Sequence, residues 1–303
     1  MSAPSPRAGR LAATVGLWGL VLVGWLPAHL PAKTGLAVGR RIGDGLWCLL
    51  PRRRRQALDN LRLSLGRELT SGEIERLGRR SFQHLGMNLI EACRYFLRPT
   101  DVMLSRVRVE GVEHLQNAAA QGRGILVLTA HYGNWELLAA AHGLTGLPLS
   151  VVIRPLDHPV LDDLAARLRR RSGAELIVKH QAVREVLQAL RRGRMVGVLL
   201  DQNATRAEGV FVPFFGVPAS TSKGLAVLAL RTEAPVVPVF LRRTPEGDHC
   251  MDVGPALVPP PDGDVLAYTA TFNRAIEAEI RRAPEQWLWM HARWRTRPRE
   301  VAS

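Results

Sequence analysis

Residues 124–144, GILVLTAHYGNWELLAAAHGL, constrain the fold more than any other stretch. The unbroken apolar run over residues 125–128, continued by Thr129 and Ala130, predicts a buried strand that delivers His131 to its carboxyl end. Gly133 permits a tight turn, Asn134 is a good N-cap, and residues 135–144 carry apolar side chains at helical spacing. The spacing therefore predicts a helix with Glu136 in its first turn. This break decides the chemistry. In one continuous helix, residues five apart point about 140° away from each other. A strand–turn–helix unit can instead fold an imidazole and a carboxylate together.

Such a pair is a general base. Glu136 accepts a hydrogen bond from one ring nitrogen of His131, which fixes the tautomer and stabilises the imidazolium, and the other nitrogen takes a proton from a hydroxyl or amine. The motif contains no nucleophilic Ser or Cys. A pair of this kind activates a bound acceptor rather than forming a covalent enzyme intermediate, which is the logic of direct acyl transfer. The competing explanation is a loop histidine followed by a glutamate that the helix dipole favours.

The segment AHYGNWE resembles the H-x4-D/E motif of the lysophospholipid acyltransferase superfamily, in the His-x4-Glu form of the bacterial late lipid A acyltransferases, the lauroyl and myristoyl transferases. Further matches follow in order: IRPLDHPVLDDL at 153–164, LLDQN at 199–203, VFVPFFGVPASTSKGLAVLAL at 210–230 and PEQWLWMHARWRTRP at 284–298. The resemblance covers nearly the whole chain. It implies an α/β acyltransferase with a central, mostly parallel sheet flanked by helices and an N-terminal membrane-anchoring helical segment. It also implies acyl-acyl carrier protein, or acyl-CoA, as donor substrate in place of any cofactor, and a phosphorylated lipid A precursor as acceptor.

The 303 residues carry a formal net charge of +14, which calls for an anionic partner. Acidic lipid or an acidic protein fits better than nucleic acid, because no zinc finger, aromatic-interleaved basic motif or RNA-binding signature is present. Cys48, Cys93 and Cys250 are widely spaced and odd in number, which fits small buried thiols in a reducing compartment. The remaining histidines form no ligand pattern, so no metal site is expected.

In chain order, residues 1–31 read as a basic tail and an anchor helix, since 11–30 are apolar without a formal charge until Pro27 and His29 interrupt them. The arginines at 40, 41 and 52–55 would place positive charge beside the bilayer on its cytoplasmic side, consistent with an inner-membrane protein whose catalytic domain faces the cytoplasm. Residues 32–100 read as a helical layer, with Ser71 as a cap and Ile74, Leu77, Phe82, Leu85, Leu89 and Ile90 on an apolar face. Residues 101–303 alternate strands (107–111, 149–154, 175–178, 195–200, 236–242, 250–253) with helices (112–121, 157–171, 182–192, 220–231, 264–282), the pattern of an α/β domain.

Five further residues join the candidate substrate site. Arg154 precedes Pro155 at the end of a strand, a rim position. Arg169, in RLRRRSG, matches an arginine that the family uses, and a guanidinium clamps phosphate bidentately. Asp201 ends an apolar strand and matches the family's acidic residue there, either holding an arginine or sugar or capping the next turn. Asn134 and Thr221 complete the set, the latter at a small-hydroxyl position after FFG. Phe211, Pro213, Phe214 and Phe215 form either a wall for acyl chains or ordinary packing. Trp287, Trp289 and Trp294 lie either at a membrane interface or in the core, and His291 has a structural role. Oxyanion stabilisation falls to backbone amides near Gly133 or to a basic side chain. Two other functions compete: acyl transfer from acyl-CoA to another glycolipid, such as a mannosylated phosphoinositide, and non-catalytic binding of anionic lipid or nucleic acid at a membrane.

Overall fold

A computed structural model describes residues 29–153, 171–178 and 182–298, together with residues 25 and 167. The chain opens with three helices, α1 (Ala32–Leu49), α2 (Pro51–Leu65) and α3 (Ser71–Leu97), and a short α4 (Thr100–Leu104). There follow β1 (Val107–Glu110), α5 (Val112–Ala119), β2 (Ile125–Thr129), α6 (Trp135–Ala141) and β3 (Leu149–Ile153). Next come β4 (Glu175–Val178), α7 (Ala182–Arg191), β5 (Met195–Leu199), β6 (Gly209–Phe214), β7 (Val217–Ser222) and α8 (Gly224–Thr232). The last elements are β8 (Val236–Arg243), β9 (His249–Val253) and α9 (Val265–Arg282).

A seven-stranded sheet in the order β1-β9-β8-β2-β5-β3-β4 forms the centre. Its pairings are parallel except β8 against β9. Helices cover both faces, and β2 shows why its sequence does not alternate. Leu126 and Leu128 enter one core cluster, with Tyr268, Phe272 and Trp287, whereas Ile125 and Val127 enter a second, with Leu115, Leu137 and Met251. A strand buried on both sides has no polar face to show. Burying each such side chain contributes about 1.5–3 kcal/mol before conformational entropy is subtracted.

The helical layer is seated by sequence-local devices. Thr70, rather than Ser71, caps α3, because its hydroxyl stands three residues before Glu73: Thr70 N–H donates to the Glu73 carboxylate at 2.8 Å, and Glu73 N–H returns a bond to Thr70 Oγ1 at 3.4 Å. Leu89, expected on the apolar face, is exposed. Glycine lets α1 and α3 cross at backbone contact, since a Cβ on Gly43 would lie 2.3 Å from Gln83 Cα and one on Gly86 2.1 Å from Gly39 O.

One expected helix begins late. Residues 220–222 belong to β7, which pairs with β6 in an antiparallel hairpin, and the helix starts at Gly224. Phe215 and Gly216 form its two-residue turn, both at positive φ (51° and 72°), the geometry that matches strand twist. Among the described residues, no helix is long and apolar enough to cross a membrane. The expected anchor, 11–30, falls almost wholly outside the described residues, as does most of the expected helix 157–171.

Candidate functional site

The site is built at the carboxyl ends of two adjacent parallel strands. Register pairs Thr129 of β2 with Leu199 of β5, so the residue two beyond each strand meets its counterpart: His131 and Asp201. Leu200 N–H donates to Thr129 O at 3.0 Å and carries the pairing one step further. Asp201 then receives three hydrogen bonds. Its Oδ1 lies 2.8 Å from His131 Nδ1, and its Oδ2 accepts from the His131 backbone N–H at 2.9 Å and from Trp287 Nε1 at 2.8 Å.

Burial pushes the Asp201 carboxyl upward, but the charge of His131 and the converging donors outweigh it and bring its pKa down to about 2. An ionised, acceptor-only carboxylate against Nδ1 fixes the proton on that nitrogen and leaves Nε2 as the base. Nε2 has Gln202 Nε2 at 3.3 Å, and the His131 side chain keeps 18% of its surface exposed. The indole of Trp135 meets the imidazole edge-on at a centroid distance of 5.4 Å.

The turn that carries His131 is pinned from behind. Gly133 has φ of +58°, and a Cβ there would stand 1.7 Å from Leu241 O, so only glycine fits. Its N–H donates to Gln286 O, the Asn134 N–H to Leu241 O and the Tyr132 N–H to Ala130 O. The amides at 132–134 are thus engaged within the protein. Asn134 Oδ1 caps α6 by accepting from Leu137 N–H at 3.0 Å, while its Nδ2 donates to Glu91 Oε2 at 2.6 Å. Glu91 and Arg243 form a buried ion pair, and Arg243 Nη2 also donates to Asn88 Oδ1, whose Nδ2 holds Gly133 O at 2.7 Å. Burial works against the Glu91 charge, but Arg243 and His249 hold its pKa well below the ordinary carboxylate value. Glu91, Asn88 and Arg243 therefore position the turn that carries His131, a role that their places on α3 and β8 gave no local signal for.

On the other side Arg293 is fully buried, and it donates to Ser220 O at 2.7 Å and Thr221 Oγ1 at 2.6 Å and stacks on Phe214. Burial pushes its pKa down to about 10, partly offset by the charge of Asp201, so it remains a cation at neutral pH. His291 accepts the Asn203 N–H on Nε2 at 3.1 Å, and burial pushes its pKa down to about 4. Both residues brace the turn after Asp201 against the carboxyl-terminal segment.

The other expected site residues fall into three groups. Asn134 and Thr221 are buried and engaged by Glu91 and by Arg293 and Asn273, which makes them struts instead of surfaces for a substrate. Glu136 opens α6 and is half-buried, but the carboxylate at Nδ1 is that of Asp201. Arg154 and Arg169 lie outside the described residues. Their neighbour Arg171 is committed to the end of α3, where its Nη1 donates to Tyr95 O at 2.7 Å. Phe214 and Phe215 pack with Trp287, Trp289 and Trp294 in the core, whereas Phe211 is half-buried and Pro213 exposed.

Glu110, Cys250 and Asp252 bring ligand-type atoms within 4.8 Å of one another. Arg108 already pairs with Glu110 at 2.8 Å, and Arg242 and Arg282 with Asp252 at 3.2 and 3.4 Å. Burial and Asp252 push the Cys250 thiol up to about 11. Guanidinium groups take the charge that a metal would need.

An imidazole with its proton held on Nδ1 can accept a proton on Nε2. The sequence model of the family described as bacterial lipid A biosynthesis acyltransferase matches residues 6–296. The lipid A biosynthesis lauroyltransferase of Escherichia coli (strain K12) is 31% identical over 281 residues, covering 92% of this chain and 91% of the relative. The palmitoleoyltransferase of the same organism is 31% identical over 278 residues, covering 90% and 89%. The phosphatidylinositol mannoside acyltransferase of Mycobacterium tuberculosis (strain CDC 1551 / Oshkosh) is 30% identical over 207 residues, 63% of this chain and 60% of that protein. With a family match over residues 6–296 and relatives 31% identical over nine-tenths of its length, the chain belongs to the bacterial lipid A biosynthesis acyltransferase family and is an acyltransferase.

Proposed function

We propose that the protein transfers a fatty acyl group from acyl-acyl carrier protein to a hydroxyl of a lipid A precursor at the cytoplasmic face of the inner membrane. The observation that supports the mechanism is the His131 Nδ1 to Asp201 Oδ1 bond of 2.8 Å, which keeps the proton on Nδ1 and makes Nε2 the nitrogen that takes the acceptor's proton. The acceptor oxygen attacks the thioester carbonyl, the tetrahedral intermediate collapses, and the sulfur leaves as a thiol after taking the proton back from Nε2. The oxyanion needs a donor near the reacting atoms, and the Gln202 side chain, 3.3 Å from Nε2, is a candidate. Glu136 is a second carboxylate for the site, acting on the same imidazole or on the acceptor.

The net charge of +14 matches both acidic partners, the carrier protein and the phosphorylated glycolipid, without nucleic acid. The apolar stretch 11–30 supplies the membrane anchor. A second acceptor is favoured by one finding, the similarity to a phosphatidylinositol mannoside acyltransferase over 63% of the chain. The test is acyl transfer in detergent-solubilised membranes with acyl-acyl carrier protein and a tetra-acylated lipid A precursor, resolved by mass. Wild type is expected to add one acyl chain, and folded His131→Ala to add none. No addition to the lipid A precursor, with addition to a mannosylated phosphoinositide, would replace the acceptor. Equal activity of the His131 variant would remove the mechanism.

A further inference from the structure

Behind the catalytic turn lies a cavity of about 520 Å³ whose lining is dominated by guanidinium groups. Arg40 of α1, Arg80 of α3, Arg242 and Arg243 of β8, and Arg282 of α9 converge there with the buried His84. The carboxylate in the lining is Glu285. Three of the arginines have partners: Arg243 pairs with Glu91, Arg242 with Asp252 at 3.2 Å, and Arg282 with Glu279 at 2.9 Å. Arg40 and Arg80 make no ion pair or hydrogen bond among the described residues, so positive charge is left over in the cavity.

A buried donor reinforces it. Arg243 is more than nine-tenths buried and lines the cavity, and its Nε has no hydrogen-bond partner among the described residues. A buried donor left unpaired costs about 1–3 kcal/mol, a cost that an incoming acceptor oxygen recovers. The fold itself brings the cations together. The glycine crossing presses α1 onto α3 at Gly43 and Gln83, and the side chains at 80, 83, 84 and 87 share the α3 face that looks into the cavity.

We propose that this cavity is a binding site for a phosphate-bearing headgroup, separate from the acyl-transfer centre. Arginine suits phosphate because its planar donors meet two oxygens at once. A hollow of about 360 Å³ adjoins it, sharing Arg40 and Pro245 and adding Lys33 and Leu36, which provides room for the organic part of the ester. The site backs directly onto the catalytic turn. Gln286 lines the cavity, its side chain bonds the backbone of Arg243 at 2.8 Å on both sides, and its carbonyl accepts the Gly133 N–H.

The test is a binding titration of the full chain in neutral detergent, read by calorimetry, so it is independent of acyl transfer. One arm uses inorganic phosphate, and the other uses phosphatidylglycerol in mixed micelles. Wild type is expected to bind phosphate, and Arg40→Ala/Arg80→Ala to bind it at least tenfold more weakly with an unchanged ligand-free Tm, since both side chains are exposed. Arg184→Ala/Arg191→Ala, on the exposed side of α7, removes the same charge elsewhere and is expected to bind like wild type. If the Arg40/Arg80 variant also loses the micelle arm, the ligand is a lipid headgroup. If wild type binds the micelles no more tightly than neutral ones, it is a soluble phosphate ester. Failure of wild type to bind phosphate, unchanged affinity in the Arg40/Arg80 variant, or an equal loss in the control would overturn the proposal.

Discussion

Replacing Asp201 by Asn changes one atom's chemistry at a point where three donors converge. In the wild type, Oδ2 serves the His131 backbone N–H and the Trp287 indole, and Oδ1 serves Nδ1. A carboxamide has one oxygen and one NH2. With the oxygen in the Oδ1 place the imidazole keeps its tautomer, but two buried donors then face an NH2 group, each at a cost of about 1–3 kcal/mol. With the oxygen in the Oδ2 place both donors stay satisfied, and the NH2 faces Nδ1. Nδ1 must then accept, which moves the proton to Nε2. The second arrangement wins by about 2–6 kcal/mol, against a single changed contact at the ring. It keeps the fold and disables the base. The negative charge that stabilises the imidazolium is lost as well, so kcat is expected to fall about 10³–10⁴-fold, or about 4–5.5 kcal/mol of barrier, with little change in KM or Tm. The assay is steady-state acyl transfer on detergent-solubilised protein, with Glu136→Gln alongside and the tautomer read from imidazole nitrogen shifts. An Asp201→Asn enzyme within tenfold of wild type would refute the argument. If Glu136→Gln were then inactive, the orienting role would pass to Glu136.

Three further outcomes are expected. Glu91→Gln leaves the buried Arg243 guanidinium without its counter-charge and is expected to cost about 3–5 kcal/mol, measured by denaturant unfolding; a loss below 1 kcal/mol would mean that the pair is solvated. Gly133→Ala sets a Cβ against Leu241 O at positive φ, so acyl transfer should vanish along with a large drop in Tm, and an active, stable variant would contradict the turn geometry. His291 has a folded pKa of about 4 against an ordinary 6.5, so its contribution is complete above pH 6.5 and is lost as pH falls towards 4, where the unfolded chain binds the extra proton. The decline is at most about 3 kcal/mol, and a pH series of unfolding should show it in wild type but not in His291→Gln.

The strand, turn and helix around His131 are legible in the chain because each signal is local: an apolar run, a glycine, a capping Asn and helical spacing all lie within residues 124–144. The alternation of strands and helices beyond it is legible for the same reason. The hairpin of β6 and β7 is not, because its positive-φ turn is built from Phe215 and Gly216 in place of the usual Asn-Gly, and the end of β7, residues 220–222, reads as the start of a helix. Sequence by itself thus determined where His131 stands, at the carboxyl end of a buried strand. Only the tertiary structure decided what orients it. Asp201 is 70 residues away, and it becomes the partner of Nδ1 through the β2–β5 register, which no window of sequence contains. The same holds for Glu91 and Arg243, whose charges are tolerable in the interior only because packing α3 against β8 brings them together.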